Sequence, residues 1–233
     1  MKTNIVVMSA AALALAFTAT ACSGTDSGGR TAAVSGASDS GSVTTGSVRE
    51  LTELAGQNVQ VDYTPLTSPA DARKKADLIV EGTLTKVEDG IRLAAANPAQ
   101  SPQAGSEETY VTFVVNVHKV LDGDARRVVG GKVYVSVYTD GTTSPAKLAA
   151  LNPQAKVVAV LDDITDWSPS PAETVVRPAN IPAGAPLYAP YTDGLWLQGR
   201  SDTQMFGVGV EADELPTGWK RAKTVNQFSA AFK

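Results

Sequence analysis

"TYVTFVVNVHKVLDGD", residues 109–124, alternates apolar and polar side chains with a period of two. In an extended chain Val111, Phe113, Val115 and Val117 fall on one face, and Thr112, Asn116 and His118 on the other. Asp122-Gly123 closes the run as a turn. "GKVYVSVYTDG" (131–141) repeats the alternation, with Val133, Val135 and Val137 inward and Tyr134, Ser136 and Tyr138 outward. The connection between them contains Asp122-Gly123 and Gly130-Gly131 and allows antiparallel neighbours. The two apolar rows should then meet in one core.

Working outward, "DLIVEGTLTKVE" (77–88) puts Leu78, Val80 and Leu84 on one face, with Gly82 where a strand bends or bulges. "KVVAVLDD" (156–163) is almost continuously apolar, as expected of a strand inside the sheet. Ser68 as N-cap, Pro69 at the first helical position and Asp71 in the first turn predict a short helix over about 69–76. A second short helix is expected to start at Ser144-Pro145. Residues 90–108, with Pro98, Pro102 and Gly105, read as a loop. Residues 164–190 hold six of the 13 prolines, which argues against regular structure there. "LYAPYTDGLWLQG" predicts a hairpin-like turn at Asp193-Gly194, and "TQMFGVGVEA" a last strand. Val225, Phe228 and Phe232 lie at helical spacing and predict a docking helix. The fold class is mainly β: an antiparallel OB-like barrel of five or six strands with short helices, since closure removes exposed sheet edges.

The N-terminal portion reads differently. Lys2 begins a short positive region and Ile5 to Phe17 is uncharged, a length that suits a secretory signal peptide better than a membrane span. Ala19-Thr20-Ala21 supplies small residues at a cleavage site, directly before Cys22, the only cysteine. Residues 23–48 are Gly-, Ser- and Thr-rich with almost no large apolar side chain, so they should form a flexible tether. The resulting organisation is a leader over 1–21, a tether over 22–48, a transitional segment over 49–68, and a barrel domain over 69–233.

Composition excludes several functions. The formal net charge is −4, one unit more acidic without Lys2, and there is no basic block. Nucleic acid is therefore not an expected partner. One cysteine excludes an intramolecular disulfide, and one histidine, His118, excludes multi-histidine metal sites. No cofactor or metal motif is present.

The leader ending in Cys22 resembles a bacterial lipoprotein signal peptide, with Ala19 where leucine is usual. The resemblance implies that Cys22 is acylated and anchors the protein on the outer face of the cell membrane. Plain cleavage after Ala21 would instead release a soluble protein. The Ala-, Gly- and Val-rich composition is similar to that of actinobacterial proteins. "ADLIVEGTLTKVE", "VTFVVNVHKVLDGD", "GGKVYVSVY" and "KVVAVLDD" together resemble the netrin-like module shared with tissue inhibitors of metalloproteinases, an OB-type barrel. The inhibitory function does not carry over, because Cys22 is separated from the barrel and the disulfides are absent.

Two sets of residues could carry function. Tyr134 and Tyr138 share one outward face, and Trp167, Tyr188, Tyr191 and Trp196 gather around the Pro-rich segment. Such rings serve either as a binding surface for a protein or glycan partner, or as a second small core under the Pro-rich loop. His118, or the cluster Asp162, Asp163 and Asp166, could instead serve an envelope hydrolase. The preferred expectation is a non-catalytic binding or accessory module.

Overall fold

The computed structural model describes residues 45–57, 63–95, 109–151, 154–168, 170–171 and 173–233. The leader, Cys22 and residues 22–44 of the expected tether lie outside the described residues. In chain order the elements are α1 (Thr45–Gly56), α2 (Pro69–Lys75), β1 (Leu78–Asp89), β2 (Arg92–Ala95), β3 (Thr109–Gly123), β4 (Lys132–Thr139), α3 (Pro145–Leu151), β5 (Lys156–Asp163), β6 (Glu173–Val176), β7 (Leu187–Gln198), β8 (Phe206–Gly207) and α4 (Val225–Ala230). Short 3₁₀ turns follow β3 and precede α4.

Five long strands pair in the order β4-β3-β1-β5-β7, and β7 returns to β4 to close an OB-like barrel. All neighbours are antiparallel except the closing pair, which is parallel and covers only Tyr134↔Leu187 and Val135↔Tyr188. The period-two register holds. Val111, Phe113, Val115, Val133, Val135 and Val137 are buried together in the barrel interior with Leu78, Val80 and Leu84, and Val117 packs against them. Gly82 sits at one of three irregularities in the β1–β3 register, where a Cβ would fall 2.3 Å from the Asn116 carbonyl oxygen.

Two further cores lie outside the barrel wall, and the first of them explains why β5 is apolar on both faces. Val157, Ala159 and Leu161 point inward, while Val158 and Val160 pack beneath Trp196, Trp219, Val225, Phe228 and Phe232. The helix expected at Val225 forms, with Thr224 Oγ1 accepting from the Gln227 amide at 3.2 Å. Ser68 caps α2 by accepting from the Asp71 amide at 3.2 Å. On the other side, Val114 and Tyr134 of the β3–β4 outer face are covered by Ile91, Ile181, Ala185 and Leu187.

Several expectations are corrected. The last residues of the expected tether and much of the transitional segment form α1, and Val48, Leu51 and Ala55 at helical spacing are fully buried in the barrel interior. Residues Thr45–Gly56 therefore belong to the folded domain, which the sequence reading began at 69. The 90–108 loop and the Pro-rich segment each contribute a strand, and β2 and β6 pair with each other in register from Arg92↔Val176 to Ala95↔Glu173. Asp193-Gly194 is no hairpin turn. β7 runs through it, and residues 191–194 bulge because Pro190 pairs with Leu161 while Leu195 already pairs with Ala159. The strand expected around residue 206 shrinks to Phe206–Gly207.

Candidate functional site

The six aromatic residues singled out above do not share one surface. Tyr134, Tyr188 and Trp196 are buried, each in a different core. Trp167 is 40 % exposed in the turn after β5. Tyr191 is half-buried in the β7 bulge, and its hydroxyl donates to the Lys75 carbonyl at 2.8 Å. Tyr138, also 40 % exposed, meets Tyr110 edge-to-face, with ring centroids 5.4 Å apart. Tyr110 was not anticipated. Its signal is the register Tyr110↔Tyr138, which places the two rings side by side across β3 and β4.

Tyr110, Tyr138 and Tyr191 converge where the barrel parts. β4 and β7 pair at two positions only, yet β4 continues as a strand to Thr139 and β7 through Thr192. A groove of about 220 Å³ lies there, walled by the three tyrosines, Ser136 and Pro190, with Gly56 and Gly209 at one end. No charged side chain lines it among the described residues. Ser136, 3 % exposed, lines the groove, and its buried hydroxyl has no hydrogen-bond partner. Thr112, directly across on β3, has a second buried hydroxyl without a partner. Leaving such a group unpaired costs about 1–3 kcal/mol.

The bulge that carries Tyr191 is pinned from behind. Asp193 is buried; its Oδ2 accepts from the Leu66 amide at 2.8 Å and its carbonyl accepts from Trp196 Nε1 at 2.8 Å. Burial pushes the Asp193 carboxyl above the usual carboxylate range, partly offset by the hydrogen bond from Leu66.

The aspartates form a brace. Arg127 Nη1 stands 3.4 Å from both Asp77 Oδ1 and Asp163 Oδ2, and the Asp163 amide donates to Asp77 Oδ2 at 2.9 Å. Asp163 Oδ1 accepts from the amide and hydroxyl of Thr165, and Thr165 Oγ1 in turn accepts from the Leu187 amide. The place a cation would take between the carboxylates is filled by a guanidinium. Asp166 is exposed in the following turn. His118 is exposed on β3, 3.4 Å from Thr83 Oγ1, with no carboxylate against it among the described residues. His118 is thus not brought to the aspartates.

The brace has a pH signature. The Asp163 amide, more than Arg127, holds the Asp77 carboxyl below its usual range. Asp162 is raised by desolvation, by its hydrogen bond to Asp77, and by the negative charge of Asp77 and Asp163. A carboxyl raised in the folded state gives its full stability below the unfolded pKa and loses it as pH rises through the folded value. Asp162→Asn keeps a donor toward Asp77 without the charge. It should therefore raise the thermal midpoint at pH about 7 relative to wild type and leave it unchanged at pH about 3. Thermal scans at both pH values check this, and equal shifts at both would show that charge is not the cause.

No family model, curated protein or solved structure matches the chain.

Proposed function

We propose that the protein is a lipid-anchored, non-catalytic binding module of the cell envelope, and that its groove takes an extended polypeptide segment. One observation carries the choice of ligand. β4 and β7 part after two paired positions, so two strand edges face each other across a groove lined with tyrosines and a buried unpartnered hydroxyl. An added strand would pair with main-chain groups that β4 and β7 do not exchange with each other, and the rings would give specificity. Recognition of sugars leans on side chains that pair with several hydroxyls at once, and the groove lining has no Asn, Asp, Gln or Arg. The covered outer face at Val114 and Tyr134 argues against oligonucleotides, which OB barrels bind there between two framing loops. Here segments of those loops pair with each other as β2 and β6. The netrin-like resemblance supports the barrel and lends no inhibitor activity.

The anchoring part of the proposal rests on the leader and Cys22. Among the described residues no helix is long and apolar enough to cross a membrane. Cys22→Ser should move the protein from the membrane fraction to the soluble fraction, and the intact mass of the wild-type mature chain should exceed its peptide mass by an acylated glyceryl group. An unmodified cysteine at that position would overturn the anchor.

The groove is tested by selecting random displayed peptides on the soluble Cys22→Ser chain. Enriched peptides should lose binding to Tyr138→Ala, and to Tyr191→Ala measured at a temperature where that variant is still folded, since its ring also packs on the outer core and bonds to Lys75. No enrichment, or peptides indifferent to both substitutions, would overturn the polypeptide reading. Tyr138-dependent binding to an oligosaccharide array in its place would assign the groove to a glycan.

A further inference from the structure

The tyrosine groove does not end at Gly56 and Gly209. The same two glycines line a second cleft of about 330 Å³, whose other walls include Arg49, Glu53, Gln204, Glu211 and Glu214. A Cβ at Gly56 would fall 2.5 Å from the Gly209 nitrogen, so bare backbone meets bare backbone at the junction. These two glycines, in close backbone contact and without side chains, are what the two hollows share.

Their charges differ. The groove carries none, whereas the second cleft carries three carboxylates against one guanidinium. Arg49 Nε sits 2.7 Å from Glu53 Oε1, so that pair neutralises itself. Glu211 and Glu214 remain. The Glu211 amide donates to Glu214 Oε2 at 2.8 Å, which fixes the Glu214 carboxylate beside the Glu211 backbone. The neighbouring hollow shares Gln204 and Glu211 with the cleft and otherwise carries Arg221 and Lys223 against Asp213, so the acidic excess belongs to the cleft and not to that hollow.

We infer that the groove and the acidic cleft form one continuous site, specific for an extended polypeptide with an aromatic or large apolar residue followed or preceded at short range by a lysine or arginine. This rests on the polypeptide reading of the groove and adds its charge selectivity. The apolar residue would pack among Tyr110, Tyr138 and Tyr191. The basic residue would pass Gly56 and Gly209 and reach Glu211 and Glu214. Complementary charge at an exposed site acts mainly on selectivity and association rate, and is screened by salt.

The test uses the same displayed random peptides on the full soluble chain. Enriched sequences should carry Lys or Arg at a fixed offset from an aromatic or large apolar residue. A double variant, Glu211→Gln with Glu214→Gln, keeps the acceptor for the Glu211 amide and should fold with the wild-type thermal midpoint. It should bind those peptides about tenfold more weakly at low salt, with the gap closing as salt rises. Replacing the peptide's Lys by Gln should cost the same factor on wild type and nothing on the double variant. Peptides that depend on Tyr138 but show no basic preference, and bind the double variant as tightly as wild type, would overturn the charge selectivity while leaving the groove as the site. Peptides indifferent to Tyr138→Ala would overturn both.

Discussion

Phe113→Ala is expected to destabilise the domain by about 3–5 kcal/mol, a large part of the stability of an ordinary domain. Phe113 is fully buried at the centre of the barrel, opposite Val135 on β4 and Val87 on β1. Its ring is buried in one cluster with side chains of both neighbouring strands, and truncation would leave a hole that strands paired on two sides cannot close. Five residues along the same strand, His118→Ala should cost no more than about 0.5 kcal/mol, because that side chain is exposed and its one contact is a long one to Thr83. Urea denaturation with an unchanged m-value would isolate the stability term for both variants. A silent Phe113→Ala beside an unfolded His118→Ala would mean that β3 is shifted by one residue, turning its Thr112 face inward.

The strands were legible where one face decides the matter. β3 and β4 alternate because their inner rows meet in the barrel, and that pattern is set by the pleat alone. What covers the outer rows was not legible. Tyr134 and Trp196 occupy positions that point away from the barrel interior, and both are buried because a second layer of chain lies over them. Period two says which residues share a face. It cannot say whether that face meets water. α1 was hidden for another reason. Val48, Leu51 and Ala55 have helical spacing, but the helix opens on Thr45, Gly46 and Ser47, residues of low helix propensity that continue the composition of the preceding tract. Burial in the barrel, not propensity, holds it. β6 likewise forms among prolines because β2 offers it a ladder, a tertiary fact with no local trace.

The candidate site was legible by half. Tyr138 and Tyr191 were recognised as rings, but their meeting depends on the parallel β4–β7 closure, which pairs residues more than 50 apart in sequence. Ser136 and Thr112 look like ordinary outward hydroxyls until the register sets them opposite each other, buried and unpartnered. The aspartates were legible as a cluster, but not the arginine from a different loop that occupies it.

Trp219→Ala should be as costly as Phe113→Ala, and it tests the outer core where the sequence offered least guidance. "LPTGWKRAK" has no periodicity, and its glycine, proline and charges read as loop. Yet Trp219 is buried, stacked on Phe228 with centroids 4.1 Å apart and planes 12° from parallel, and edge-on to Phe232 at 5.6 Å. Its Nε1 donates to the Leu66 carbonyl, so one side chain ties the C-terminal helix to the segment entering α2. The backbone beyond it is strained. Lys220 and Arg221 are both left-handed, at φ 53° and 56°, a conformation that costs a non-glycine residue roughly 1–2 kcal/mol. Burial of Trp219 on one side and Ala222 on the other holds that strain in place. Truncation to Ala should remove about 3–5 kcal/mol of packing, and it also leaves the Leu66 carbonyl without its donor. Trp219→Phe keeps a ring for the stack and loses the hydrogen bond, so it should cost about 1–2 kcal/mol. Hydrogen exchange locates the effect. In Trp219→Ala the α4 amides should exchange faster than those of β3 and β4, because the outer core and the barrel interior are separate clusters. If α4 stays as protected as β3, the C-terminal segment is held by something other than this tryptophan. The strain at Lys220 and Arg221 would then need a different counterweight.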